Sequence, residues 1–127
     1  MTDHDPLTPV AVESKLRQLV NDLGQARVAL AQARDLEVDA RHEWDRARRR
    51  AILSDKSPKV SRGGYTAADR DAWVDDQVDD LRFAFEKATV AREAAQDHLR
   101  VLMAQAEIAR SLGASVRQAY ELAGVSP

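Results

Sequence analysis

The sequence contains no cysteine, and only two residues each of tryptophan, tyrosine and phenylalanine. Without cysteine, disulfides, zinc ribbons and thiol catalysis are excluded. No stretch approaches the ~18 consecutive apolar residues of a membrane span. Met1 to Pro9 is acidic and has no apolar run, so no signal peptide is expected and the default setting is cytoplasmic. Net charge is -2, from 19 basic and 21 acidic residues. Such a balance gives no global pull toward nucleic acid or anionic lipid, so any attraction of that kind must be local. Five glycines and four prolines are few for a loop-rich fold, and they argue against a β-sandwich, a barrel or a doubly wound sheet.

What the sequence does have is alanine, 22 residues of it in a chain of 127. Together with Leu, Glu, Arg, Asp and Val, this composition predicts one domain built from long helices. Two segments can be helical without interruption, Pro9–Ser54 and Thr66–Ser111. Thr8-Pro9 reads as N-cap and first helical position. Thr66-Ala67-Ala68-Asp69 reads as a capping box with Asp in place of Glu. Pro58, Gly63 and Gly64 lie in the break between the segments. Gly113 is expected to end the second helix. The expected fold is all-α: a long antiparallel two-helix coiled-coil hairpin with a short C-terminal third helix. Residues 1–8 are expected to form a flexible tail, residues 9–112 the hairpin with its loop near 55–65, and residues 113–127 the third helix and its tail.

Two stripes support the hairpin. The first segment places Leu16, Leu19, Leu23, Ala26, Leu30, Ala33, Glu37, Ala40, Trp44, Ala47 and Ala51 at alternating spacings of three and four. The second places Val74, Val78, Leu81, Phe85, Ala88, Arg92, Ala95, Leu99, Leu102, Ala106 and Ala109 likewise. This is a heptad seam, and its alanines allow close approach of the helices. Each stripe has one charged intruder. Opposing Glu37 to Arg92 as a buried seam pair also brings Trp44 to Phe85, Leu30 to Leu99 and Leu23 to Ala106. A lone buried charge is far more costly than a paired one, so this register is preferred.

A second stripe on the later helix, Phe83, Val90, Val101 and Ile108, is left over. A two-helix hairpin buries little core for its surface. The leftover stripe therefore predicts a partner face, most simply for a second copy in a homodimeric four-helix bundle. Gly24, in mid-helix, is expected to mark a kink or a close approach by another helix.

Charge is locally uneven. Arg46, Arg48, Arg49, Arg50, Lys56, Lys59 and Arg62 gather near the expected hairpin tip. The acidic run from Asp69 to Asp80 is expected to neutralise most of it, with Arg49 and Arg50 facing Asp80 and Asp79. Lys56, Lys59 and Arg62, with Arg117 further along, remain as candidate nucleic-acid contacts. Arg27, Arg34, Arg41 and Arg48 recur every seven residues beside the seam and read as a solvated flank. His4, His42 and His98 show no metal-ligand spacing. No phosphate-cradling glycine loop, nucleophile elbow or triad is present. No catalytic residue, metal or cofactor is expected, and the chain reads as a non-enzyme.

Ile108-Ala109-Arg110-Ser111-Leu112-Gly113-Ala114-Ser115 has helix-turn-helix spacing. Ala119-Tyr120-Glu121-Leu122-Ala123-Gly124-Val125-Ser126-Pro127 resembles the opening of repressor-type DNA-binding helices, truncated before a recognition helix. The competing reading is a short helix Ser115–Ala123 packed back through Val116, Ala119, Tyr120 and Leu122.

Taken whole, the layout resembles small helical accessory proteins of tailed phages and prophages of actinobacteria. The resemblance rests on the long Ala/Arg-rich first helix and on the Lys-x-x-Arg-Gly-Gly-Tyr-Thr turn at Lys59–Thr66. It also rests on the helix start Asp69-Arg70-Asp71-Ala72 and on the ending Ser111-Leu112-Gly113-Ala114-Ser115-Val116-Arg117. It implies an accessory or host-directed binding role with no catalytic residues to carry over. The expected function is a protein–protein interaction module whose partner is a host or phage protein, with self-association and no membrane. The alternative is a nucleic-acid-binding recombination or regulatory accessory protein.

Overall fold

The structure, a computed structural model, describes residues 8–124. It is all-helical: α1 is Pro9–Ile52, α2 is Ala67–Gln77 and α3 is Asp79–Leu122. The described residues contain no strand, only an isolated bridge between Val60 and Tyr65. The chain divides into two compact units, Met1–Leu30 with Ala95–Pro127, and Ala31–Ala94.

Local chemistry sets the helix starts. Thr8 Oγ1 accepts the N–H of Ala11 at 3.1 Å, and the Thr8 carbonyl accepts that of Val12 at 3.0 Å. Pro9 then occupies the first helical position, where a missing N–H loses nothing. At α2 the capping box is reciprocal. Thr66 Oγ1 accepts from the Asp69 N–H at 3.1 Å, and Asp69 Oδ2 accepts from the Thr66 N–H at 2.9 Å. The Thr66 backbone N–H, and then its hydroxyl, hold the Asp69 carboxyl below the usual carboxylate range.

Two features differ from the sequence reading. The helix that starts at Thr66 is interrupted at Val78, whose φ of -112° and ψ of 14° leave the helical region. The cause lies in the acidic run. Asp75 with Asp79, and Asp76 with Asp80, are like charges one turn apart, which disfavours an unbroken helix there. The break moves Asp79 and Asp80 into the first turn of α3, where the helix dipole favours negative charge. Arg82 then reaches Asp79 at 2.7 Å and Glu86 at 2.6 Å. These partners, Asp79 first, hold its guanidinium above the usual arginine range.

The second difference is Gly113. It does not end a helix: α3 continues through it to Leu122. The separate C-terminal helix expected from residue 113 is the last part of α3, and the one short helix among the described residues is α2. The reason is packing. A Cβ on Gly113 would lie 2.9 Å from Val12 Cγ1 and 4.0 Å from Leu16 Cδ1. Glycine is present because Val12 sits against the helix backbone, and an α-helix accepts it at a modest propensity cost.

In the unit formed by the first and last segments, Leu19, Leu23 and Ala26 of α1 cluster with Leu102 and Ala106 of α3, flanked by Leu99 and Ala109. Pro9, Val12 and Leu30 are buried on α1, and Gly113 and Val116 on α3. The apolar spacing therefore extends one turn or more beyond the predicted stripes at each end. Among the described residues Gly24 has nothing within 4 Å of where a Cβ would stand, so no other described helix approaches it.

In the Ala31–Ala94 unit the same spacing gives a thinner interior. Val74 and Val78 are buried, while Ala33, Ala40, Trp44, Ala47, Leu81, Phe85 and Ala88 are half-buried. The Trp44 and Phe85 rings stack with centroids 5.5 Å apart. Between the helices, Gly64 N–H donates to the Ser61 carbonyl at 3.1 Å, and Ser61 N–H to that of Tyr65 at 3.2 Å. Gly63, with φ of +80°, supplies the left-handed residue of this turn.

Candidate functional site

Four groups of residues in the described chain bear on function. The first is the charged pair. Arg92 Nε donates to both carboxylate oxygens of Glu37, at 3.1 and 3.3 Å, and its Nη2 donates to Oε2 at 3.2 Å. The side chains remain 24% and 20% exposed, so the pair is half-buried rather than fully buried. The Arg92 hydrogen bond, followed by the Thr89 hydroxyl, holds the Glu37 carboxyl below its ordinary range. The pair borders a shallow hollow of about 410 Å³ that also includes Val38, Arg41, Phe85 and Thr89. Arg41, read from sequence as a solvated flank, lies over the Trp44 and Phe85 rings at 5.6 and 5.4 Å and pairs with Asp45 at 3.4 Å. Its role is to cover the aromatic layer from the side.

The second group is apolar and exposed. In the Ala31–Ala94 unit, Phe83 is 56% and Val90 65% exposed. They line a groove of about 460 Å³ with Glu86, Lys87, Ala91 and Ala94. Lys87 Nζ lies 5.5 Å from the Phe83 ring centroid and covers one side of it. In the other unit, Val101 and Ile108 are likewise exposed. Helical spacing explains both: these positions lie off the stripe that packs α3 against α1.

The third group is the basic run. Arg46, Arg48, Arg49, Arg50, Lys56, Lys59 and Arg62 are all exposed. The expected ion pairs with the acidic run do not form. Among the described residues no ion pair joins Arg49 or Arg50 to Asp79 or Asp80, and Asp79 is taken by Arg82 instead. Within the run, Asp79 pairs with Arg82 one turn on in the same helix, and Asp71 with the adjacent Arg70. Arg117 is also exposed, but it belongs to the other unit.

The fourth group was not visible in the sequence. Between α1 and α2 a hollow of about 450 Å³ is bounded by Ser54, Asp55, Ser57, Lys59 and Arg70, with apolar wall from Ile52, Leu53, Pro58 and Val60. Only Lys59 was marked by charge patterning. Ser57 and Arg70 come from separate segments, and no spacing rule connects them.

His42 and His98 are exposed, and His4 lies outside the described residues. No group of three or more potential ligands fit to hold a metal ion occurs among the described residues. No described helix is long and apolar enough to cross a membrane. A helix-turn-helix centred on Gly113 needs a turn there, and α3 has none. The alternative match at Ala119–Pro127 falls partly on residues 125–127, outside the described chain. The chain matches no family model, no curated protein and no solved structure.

Proposed function

We propose that this chain is a non-enzymatic protein–protein interaction module. Its α1 and α3 pair as an antiparallel coiled-coil hairpin, and it self-associates through the apolar positions that this pairing leaves outside. The observation that carries the reading is the exposed Phe83–Val90 groove, lined also by Ala91 and Ala94. A phenylalanine more than half exposed beside small residues fits a partner helix better than it fits water. The thin interior of the Ala31–Ala94 unit argues the same way, since few of its apolar residues are fully buried. A host or phage protein seated on the same groove is the wider form of the proposal.

Sedimentation at several concentrations tests it. A concentration-dependent dimer is expected, with Phe83→Glu and Val90→Glu each shifting it to monomer while far-ultraviolet circular dichroism stays helical. A strict monomer at all concentrations removes the self-association part.

A second reading, nucleic-acid binding through Lys56, Lys59 and Arg62, is favoured by one observation: these exposed cations carry no ion pair among the described residues. Duplex and single-stranded DNA titrated against salt should then show a steep slope that shrinks when the three become alanine. No binding at low salt ends that reading.

A further inference from the structure

The α1–α2 connection places apolar residues in water among cations. Leu53 is 83% exposed, Tyr65 59% and Val60 48%. They are not scattered. Leu53 and Val60 line one hollow with Ile52 and Pro58, and the backbone bridge between Val60 and Tyr65 sets those two residues side by side. A single exposed leucine is ordinary, but an apolar group rimmed by charge marks a contact surface. The charge here is of one sign. Residues 46–65 hold seven cations and one carboxylate, Asp55. Arg49 and Arg50 stand in the last turn of α1, Lys59 borders the hollow, and Arg62 lies in the turn between Val60 and Tyr65. All seven cations are exposed, and none forms an ion pair among the described residues.

The nearby acids do not cancel this charge. Asp69 is engaged by the Thr66 N–H, and Asp71 by Arg70. Asp75, the next in the run, lies about 12 Å along α2 from Ala67 at 1.5 Å per residue, beyond the ~8 Å screening length at physiological salt. We infer that this connection docks on the surface of an anionic lipid bilayer. Leu53 and Val60 enter the boundary between headgroups and acyl chains, Tyr65 sits at headgroup level, and the cations face the lipid phosphates. A nucleic acid satisfies the cations but leaves Leu53 and Val60 in water, whereas a bilayer surface takes both. No described helix is long and apolar enough to cross a membrane, so the contact is peripheral and reversible. The proposal uses neither Phe83 nor Val90, and it competes with the nucleic-acid reading for the same lysines.

The test is flotation of the full chain with vesicles at physiological ionic strength. One set is phosphatidylcholine alone, and the other contains about a quarter phosphatidylglycerol. The protein should float with the anionic vesicles and far less with the neutral ones. Replacing Lys56, Lys59 and Arg62 together by alanine should weaken binding about a hundredfold, close to fivefold per cation. Leu53→Ser keeps every cation and should still weaken it about tenfold, the size of losing an inserted side chain. Leu53 is exposed, so the variant should keep the far-ultraviolet circular dichroism of the unaltered chain. Equal flotation with both vesicle sets, or none with either, overturns the proposal. So does a Leu53→Ser protein that floats like the unaltered one, because cations alone then hold the surface as they hold any polyanion. Tight binding of duplex or single-stranded DNA without vesicle binding assigns the cations to nucleic acid and overturns it as well.

Discussion

Arg92 grips both carboxylate oxygens of Glu37 across 55 residues of sequence, the two-oxygen recognition that a planar guanidinium allows. Seven positions forward on α1 and seven back on α3, Trp44 stacks on Phe85. The two contacts define one register in the Ala31–Ala94 unit. They also show how a thin interior can be specific. Alanines supply closeness but no identity, so one ion pair and one aromatic layer distinguish this alignment from a slide by a heptad.

The pair should behave as a unit. Glu37→Arg and Arg92→Glu should each lower the urea midpoint, because each leaves two like charges facing one another. The double variant should recover much of the loss. A double variant no more stable than the singles would show that the charges act independently.

Acid should weaken the same contact. The folded Glu37 carboxyl lies below its ordinary value near 4.5, so its contribution is complete above that value. It is lost as pH falls through the lower folded value, because protonation removes the acceptor for Arg92. Asp69 at the α2 cap has the same sign. Urea titrations at pH 7, 4 and 3 should therefore show falling stability, with a shallower fall in Glu37→Gln. An identical pH dependence in that variant would remove Glu37 as a contributor.

The two mid-helix glycines should respond oppositely. Gly24→Ala meets open space and should stabilise by about 1 kcal/mol, the propensity difference in a helix interior. Gly113→Ala gains the same propensity but drives a methyl group against Val12, a stiff β-branched side chain. It should be neutral or destabilising, and the larger Gly113→Val clearly destabilising. Thermal melts of the variants decide, and equal gains at both glycines would contradict the packing at Gly113.

The α2 cap supplies an independent check. Thr66→Ala removes one acceptor of the reciprocal box and should cost about 1 kcal/mol. Thr66→Ser should cost much less, and equal losses would mean that the hydroxyl bond contributes nothing.

Much of this chain could be read from spacing. Leu19, Leu23, Ala26, Leu102 and Ala106 recur at three and four residues, and such a pattern has one satisfactory outcome, a face buried against another helix. Thr8 and Thr66 announce helix starts because capping is a local event within four residues. Glu37 and Arg92 could be matched because each is the single charge in its stripe. The break at Val78 was also encoded, in like-charged aspartates one turn apart, but a capping signal just upstream favoured one continuous helix.

Other features were decided only in three dimensions. Gly113 looks like a helix end in sequence, and only Val12, about a hundred residues away, makes it a helix interior. Arg49 and Arg50 look neutralised by Asp79 and Asp80, yet Arg82 claims Asp79 first. Ser57 carries no pattern at all, and the fold sets it with Arg70 at the edge of one hollow. The physical division is one of range. Periodicity and capping are properties of a few consecutive residues, so sequence alone determines them. Which side chain fills a gap, which acceptor a cation finds and which donors go unmet depend on segments that meet only after folding.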